Sequence, residues 1–213
     1  IVVGQRNRTW KSPTSLSATT PQSLTFIRDF SLFDTGQFSQ LQGIIFVAFS
    51  IVETVKEMAA EASFIAVSQP EACFYQVLNK FHSKPGFVGM HPTCLVSPGA
   101  QIGANVSIGA YSLIGNDVVI GDDSVVGSLC SIENCTISAR AVIQNGVKIG
   151  GQHLGVVQND DGYWIDRPSL ARVVIGSQTR IEDNTVIQSG FLNDTNVAPN
   201  VRIGPNCSIA VSY

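Results

Sequence analysis

The three histidines of this sequence are the side chains best suited to accept a proton near neutral pH. His82 ends a helical stripe and His91 opens a repeat, so we interpret both as surface or capping residues. His153 lies in a segment without periodicity and is the candidate catalytic base. The alternative interpretation of His153 is a solvated polar residue on a loop.

Two short polar runs are the other candidates for chemistry. Asp160 and Asp161 could form a carboxylate pair, although adjacent acids before a glycine are more typical of a turn. Asn193 and Asp194 are predicted to contact a substrate, and their side chains suit a corner of the chain equally well. The five cysteines show no metal-ligand spacing, so we predict no metal site and reduced, structural thiols.

The structure that positions these groups is indicated by aliphatic residues that recur every six positions. The aliphatic series is Val96, Ile102, Ile108, Ile114, Ile120, Val126 and Ile132, and glycine follows each of the middle five. This period predicts a parallel β-helix in which three hexads complete a turn and the aliphatic side chains stack inside. We expect the glycines to take the positive φ angles of tight turns; they are Gly103, Gly109, Gly115, Gly121 and Gly127.

The period slips by one residue after Ile132 and resumes at Ile137. It then breaks between Gly150 and Arg172, which we interpret as a loop extruded from the coil. Hexads return at Ile175 and again at Val197. Long loops inside a compact repeat are often functional.

Composition excludes some classes of partner. The net charge is −3 and charged residues make up 14% of the chain, with the basic residues scattered, so we predict no nucleic-acid partner. No run approaches the ~18 apolar residues of a membrane-spanning helix.

The chain before the repeats divides into two predicted segments. Residues 1–41 are transit-like or disordered, since residues 1–28 are rich in Ser and Thr and contain basic but no acidic residues. Import would place the protein in the mitochondrion; otherwise we expect it in the cytoplasm. Residues 42–90 are predicted to form a small α+β module. Its apolar faces are Val52, Val55, Met58, Ala59 and Ala62, and, after Pro70, Phe74, Val77, Leu78 and Phe81.

The order of these features resembles a known family, the UDP-3-O-acylglucosamine N-acyltransferases of lipid A biosynthesis. The resemblance covers about residues 70–210 and is carried by these motifs: His91-Pro92-Thr93, Gly146-Val147-Lys148-Ile149-Gly150, Asp160-Asp161-Gly162-Tyr163-Trp164, Arg172-Val173-Val174-Ile175-Gly176, and Asn184 to Thr195.

The resemblance implies a mainly β protein with a left-handed parallel β-helix over 91–213, preceded by a uridine-binding module. It also implies a homotrimer with active sites between subunits and no cofactor. The implied reaction moves a 3-hydroxyacyl group from acyl carrier protein to the 2-amino group of a UDP-3-O-acyl-glucosamine.

Several residues depart from the family pattern. Val211 follows Ile209-Ala210 where the family has its catalytic histidine. The run Ile187-Gln188-Ser189-Gly190 lacks two charged groups of the family motif, and the run after Gly150 also differs. The family's further coils and carboxy-terminal helices are not in this sequence, so we expect a truncated, inactive chain with a remnant uridine-binding module.

Three functions therefore compete. The first is the N-acyltransferase activity of the family that the sequence resembles. The second is a non-catalytic trimeric solenoid that acts in binding or assembly. A γ-type carbonic anhydrase would need three histidines around zinc, and His153 alone lies among the coils, which disfavours it.

Overall fold

The computed structural model describes residues 2–3, 9–28, 38–82, 88–152 and 155–210. The chain divides into two compact units, Ile1–Pro85 and Gly86–Tyr213. Each unit has its own hydrophobic core.

The first unit contains a five-stranded sheet with strand order β1-β5-β4-β3-β2, in which only β1 runs antiparallel to its neighbour. Its described elements are β1 (Val2–Val3), β2 (Ser12–Pro13), a 3-10 turn (Leu16–Ala18), β3 (Ser23–Phe26), β4 (Gly43–Ala48), α1 (Val52–Met58), β5 (Ala62–Val67) and α2 (Pro70–His82). Proline suits the first position of α2, because that position needs no amide hydrogen.

The apolar run from Ile44 to Val55 is a strand followed by a helix. Val52, Val55 and Ala59 are buried in the core. Ala62 was assigned to the same helical face, and this was wrong. The helix ends at Met58, and Ala62 begins β5, where it is buried beside Gly43 of β4.

The structure also places three short strands of segment 1–41, β1 to β3, in the sheet. Strand β3 lies between β2 and β4, and Leu24 and Ile27 are buried. The small module is therefore larger than residues 42–90. Composition averaged over the segment concealed the apolar run around β3, which has enough hydrophobic surface to pack against β4 and α2.

The second unit coils into three parallel sheets. The first face has β7 (Gln101–Ile102), β10 (Val118–Ile120), β13 (Cys135–Ile137), β18 (Val173–Ile175) and β21 (Thr195–Val197). The second has β8 (Ser107–Ile108), β11 (Val125–Val126), β14 (Val142–Ile143), β19 (Arg180–Ile181) and β22 (Arg202–Ile203). The third has β6 (Leu95–Val96), β9 (Leu113–Ile114), β12 (Ser131–Ile132), β15 (Lys148–Ile149), β20 (Val186–Ile187) and β23 (Ser208–Ile209).

The aliphatic ladder is inside this coil, as the six-residue period predicted. Ile102 pairs with Ile120, one full turn later, and each fully buried Ile or Val stabilises the coil by roughly 1.5–3 kcal/mol. The one-residue slip after Ile132 is absorbed at a corner, because Ile120 still pairs with Ile137.

Small polar residues inside the coil are hydrogen-bonded between turns. The Ser112 hydroxyl donates to the Gly127 carbonyl at 2.7 Å and accepts from the Cys130 amide at 3.0 Å. Ser124, Thr179 and Thr185 also bond to a neighbouring coil through their hydroxyls. Their burial therefore leaves these hydroxyl groups satisfied.

The predicted role of the hexad glycines was wrong. None of the five has a positive φ. A Cβ at Gly109, Gly121 or Gly127 would instead lie 2.5 to 2.7 Å from backbone atoms of the next coil. The left-handed position comes two residues after the glycine, at residues that include Asn105, Tyr111, Asp123 and Leu129.

Candidate functional site

The interrupting loop forms a β-hairpin beside the coil. Strands β16 (Val156–Gln158) and β17 (Trp164–Asp166) pair antiparallel across a turn. The Asn159 side-chain oxygen accepts from the amides of Asp161 and Tyr163 at 3.1 and 2.9 Å. Asp160 and Asp161 therefore lie in a turn, which agrees with the turn interpretation of this acidic pair.

The base of the loop is fixed by an arginine and an aromatic ring. The Arg167 guanidinium lies 5.6 Å from the ring centroid of Phe191, and the Arg167 amide donates to the Gly155 carbonyl at 2.7 Å. A Cβ at Gly155 would overlap the Phe191 ring. Such packing holds the loop in one position relative to the coil from which it leaves.

Asp194 ties this loop to the next coil. Its Oδ1 accepts from the Arg172 amide at 2.9 Å, where the loop rejoins the coil. Asn193 precedes it, and both side chains are exposed. The structure thus brings Asn193 and Asp194 to the end of the loop, and their role in substrate binding stays a prediction. His153 and Val211 lie outside the described residues.

Arg172, which was not predicted as a site residue, lies where the loop rejoins the coil and makes contacts with two other coils. Its Nη2 donates to the Asp117 carbonyl at 2.9 Å, and its Nε is shielded from solvent without a hydrogen-bond partner among the described residues. Burial raises the pKa of the nearby Cys135 thiol to about 12, and the positive charge of Arg172 partly opposes this. Arg172, Asp117 and Cys135 are far apart in the sequence and meet only where the loop rejoins the coil.

The first unit holds a pocket of about 570 Å³ with an aromatic wall. Phe26 of β3 lies 5.0 Å from Phe74 and 6.0 Å from Tyr75, both on α2, measured between ring centroids. At the same pocket, Arg28 Nη1 lies 3.1 Å from Glu71 Oε2. An aromatic wall next to a guanidinium can bind a ligand in which a flat ring is joined to an anionic group.

None of these aromatic residues was predicted to lie in a site. Phe74 was predicted only as part of a packing face, and Phe26 lay in the segment interpreted as transit-like. The available signal was the spacing of Glu71, Phe74 and Tyr75, which places the three on one side of α2.

The second unit carries an exposed apolar patch, which we call the corner patch: Leu95, Leu113, Tyr111 and Leu129. Leu95 and Leu113 are adjacent outward residues of the third face. Tyr111 and Leu129 follow in successive coils at the corner between the second and third faces, with φ angles of 58° and 61°. Equivalent corner positions two and three coils further on hold Asn184 and Asn206, which tolerate this conformation better.

The described residues contain neither a membrane-spanning helix nor a metal-binding cluster. No helix in that part of the chain is long and apolar enough to cross a membrane. Likewise, its His, Cys, Asp and Glu residues include no group of three or more arranged to hold a metal ion.

Comparison with known proteins identifies the repeats. The family described as bacterial transferase hexapeptide (six repeats) matches residues 99–134. A UDP-3-O-acylglucosamine N-acyltransferase of Pseudomonas putida F1 is 38% identical over 166 residues, which cover 68% of this chain and 47% of the relative. The protein of that name from Coxiella burnetii (strain Dugway 5J108-111) is 35% identical over 86 residues, or 35% of this chain and 25% of the relative.

The chain carries hexapeptide repeats and is similar to the UDP-3-O-acylglucosamine N-acyltransferases. It spans about half the length of its Pseudomonas relative. The solved structure of LpxA from Acinetobacter baumannii has a TM-score of 0.50 and 21% identity, and the alignment covers 57% of this chain and 45% of that chain. This likeness concerns the fold alone, and the second unit is a left-handed parallel β-helix, as the family resemblance implied.

Proposed function

We propose that the protein is an N-acyltransferase that moves a 3-hydroxyacyl group from acyl carrier protein to the 2-amino group of UDP-3-O-acyl-glucosamine in lipid A biosynthesis. The observation that carries the proposal is the 38% identity to the Pseudomonas N-acyltransferase over 166 residues. In this reaction the amine attacks the thioester carbonyl, the carrier thiol leaves, and a base takes the proton from the amine.

We also propose that the chain with Val211 does not catalyse this transfer. Valine cannot accept a proton, and Val211 stands where the family pattern has its base. His153 is the candidate substitute because in the sequence it falls in the segment that interrupts the repeats. Asn193 and Asp194 would then contact the sugar at the end of that loop.

The aromatic pocket of the first unit is the proposed site for the uridine part of the substrate. Phe26, Phe74 and Tyr75 offer ring faces for stacking with a pyrimidine, and Arg28 offers a cation for a phosphate. Binding there needs no catalytic base. An inactive chain would therefore still bind the nucleotide.

The corner patch supports the proposed homotrimer. Tyr111 and Leu129 adopt a conformation that disfavours bulky side chains, and both are more than three-fifths exposed. Burial under another surface would offset the strain of a large apolar side chain in a left-handed conformation. We propose that a second copy of the chain covers the patch.

The catalytic proposal is tested by transfer of a radiolabelled 3-hydroxyacyl group from acyl carrier protein to UDP-3-O-acyl-glucosamine. We expect no turnover by the natural chain and measurable turnover by Val211→His. Turnover by the natural chain would overturn its inactivity, and His153→Ala would then show whether His153 is the base. Failure of Val211→His to transfer, while it binds UDP, would contradict the assignment of position 211.

The trimer is tested by sedimentation equilibrium of Leu129→Asn. This substitution removes apolar surface and introduces the residue found at equivalent corners, so we expect dissociation without unfolding. Arg140→Asn is the matched control, because Arg140 has a φ of 59° at a different corner. A trimer that persists in Leu129→Asn at micromolar concentration, or a natural chain that is monomeric, would refute the interface.

The second candidate function is a non-catalytic trimeric solenoid that acts in binding or assembly. Val211 and the corner patch together favour it. The chain has an apolar surface suited to assembly, and it has valine where the family pattern has the catalytic base. A mitochondrial or cytoplasmic location stays a prediction.

A further inference from the structure

An ion pair lies at the aromatic pocket of the first unit. Arg28 Nη1 and Glu71 Oε2 are 3.1 Å apart, and their side chains are 70% and 39% exposed. Among the described residues that line the pocket, Arg28 is the only basic residue and Glu71 the only acidic one. Any anion that enters the pocket therefore meets both charges.

The two charges are held beside the aromatic wall by neighbouring elements. Arg28 follows Phe26 by two residues, just after the end of β3. Glu71 is in the first turn of α2, three and four residues before Phe74 and Tyr75. The same two segments thus provide the rings and the ion pair.

We infer that Arg28 binds the phosphate of a nucleotide whose ring stacks on the aromatic wall, and that Glu71 competes with this phosphate for the guanidinium. This inference rests on the proposed binding of a UDP-sugar by the first unit. An exposed ion pair contributes little free energy, so a phosphate with a larger charge can displace the carboxylate from Arg28. The carboxylate also repels the phosphate directly. Glu71 therefore sets the affinity of the pocket for phosphorylated ligands.

The inference predicts opposite effects for the two partners of one ion pair. We expect Arg28→Gln to weaken UDP binding roughly ten-fold or more, because a charge-assisted hydrogen bond is lost. We expect Glu71→Gln to strengthen UDP binding about two- to five-fold, because the competitor and the repulsion are removed. A purely structural ion pair would make both variants weaker.

The experiment is calorimetric titration of the full chain with UDP and, separately, with uridine. Uridine has no phosphate, so its affinity should be the same in the natural chain, Arg28→Gln and Glu71→Gln. The matched controls are Glu53→Gln and Lys56→Gln, which break the ion pair of α1, 3.6 Å long, away from the pocket lining. These controls should leave the affinity for both ligands unchanged.

Three results would count against the inference, and they are distinguishable. If the natural chain binds UDP but Glu71→Gln weakens or does not change that binding, the competition is refuted while nucleotide binding stands. If both variants change uridine affinity as much as UDP affinity, the ion pair shapes the ring site instead. If the natural chain binds neither ligand, the proposed nucleotide site fails and the inference fails with it.

Discussion

Replacing single glycines of the coil with alanine tests why the repeat requires them. At Gly121 a new Cβ would lie 2.5 Å from the Ala139 amide nitrogen and 2.9 Å from its Cα. Both atoms belong to the backbone of the next coil, and the Gly121 amide donates to the Ile137 carbonyl at 2.7 Å. Relief of the clash must therefore separate two hydrogen-bonded coils.

Gly115 is the matched control, because it occupies the same position of the hexad. There the nearest atoms, a side-chain carbon of Glu133 and the Ile132 carbonyl oxygen, would be 3.5 Å from a new Cβ. This is an ordinary contact distance, and the φ angle of Gly115 is not in the left-handed region. Alanine should fit at this position without movement of the backbone.

The expected changes in the free energy of unfolding differ in sign between Gly121→Ala and Gly115→Ala. Overpacking costs about 1–3 kcal/mol. Alanine in place of glycine lowers the entropy of the unfolded chain and gains about 0.4–1 kcal/mol where it fits. We therefore expect Gly121→Ala to lower the free energy of unfolding by up to about 2.6 kcal/mol and Gly115→Ala to raise it by roughly 0.4–1 kcal/mol.

The assay is urea denaturation followed by circular dichroism, with the midpoints of both variants compared with that of the natural chain. Equal destabilisation at both positions would refute the steric explanation. It would indicate that glycine is required at both positions for a reason other than the close approach of the next coil.

Three further predictions concern stability. Arg140→Asn should raise the free energy of unfolding by about 0.5–1 kcal/mol, since asparagine adopts the φ of 59° more readily; urea denaturation measures this, and a lower midpoint would contradict it. Burial raises the pKa of Cys135 from 9.0 to about 12, so the unfolded thiol ionises first and stability should fall as pH rises from 9 to 12, by up to about 1.4 kcal/mol per pH unit. Unfolding from pH 8 to 10.5 should show a shallower alkaline loss in Cys135→Ala, and an unchanged slope would be inconsistent with this origin. Leu24→Ala should cost about 2–5 kcal/mol in the first unit, because Leu24 is 2% exposed in β3; thermal unfolding measures it, and no loss would favour a dispensable leader.

The coil was predictable because its tertiary contacts repeat a local pattern. Ile120 pairs with residues that occupy its own position in the neighbouring turns, so the six-residue period directly describes the core. The role of the glycines was not predictable in the same way. The atoms that exclude a Cβ at Gly121 belong to Ala139, in the next coil, and only coordinates show how closely they approach.

The candidate sites were harder to predict, since they join segments far apart in sequence. Phe26 reaches Phe74 only because β3 pairs with β4 and packs on α2. Asp194 reaches the Arg172 amide only because the loop closes on a later coil. The composition of residues 1–28 suggested a leader, while four consecutive residues, Ser23 to Phe26, were sufficient to form a strand of the sheet.

Stability and catalysis depend on different residues in this fold. The coil is stabilised by its inward aliphatic residues, ending in the ladder at Ile209, and by close backbone contact at glycines. Val211 lies outside the described residues, and in the sequence it comes two residues after the ladder position Ile209. Because position 211 falls outside the aliphatic period, we expect that losing or restoring a base there leaves the free energy of unfolding of the coil unchanged. Val211→His should change acyl transfer while leaving the urea midpoint within about 0.5 kcal/mol of the natural chain. A large change in stability would show that position 211 contributes to the scaffold, and the substitution would then no longer isolate the chemistry.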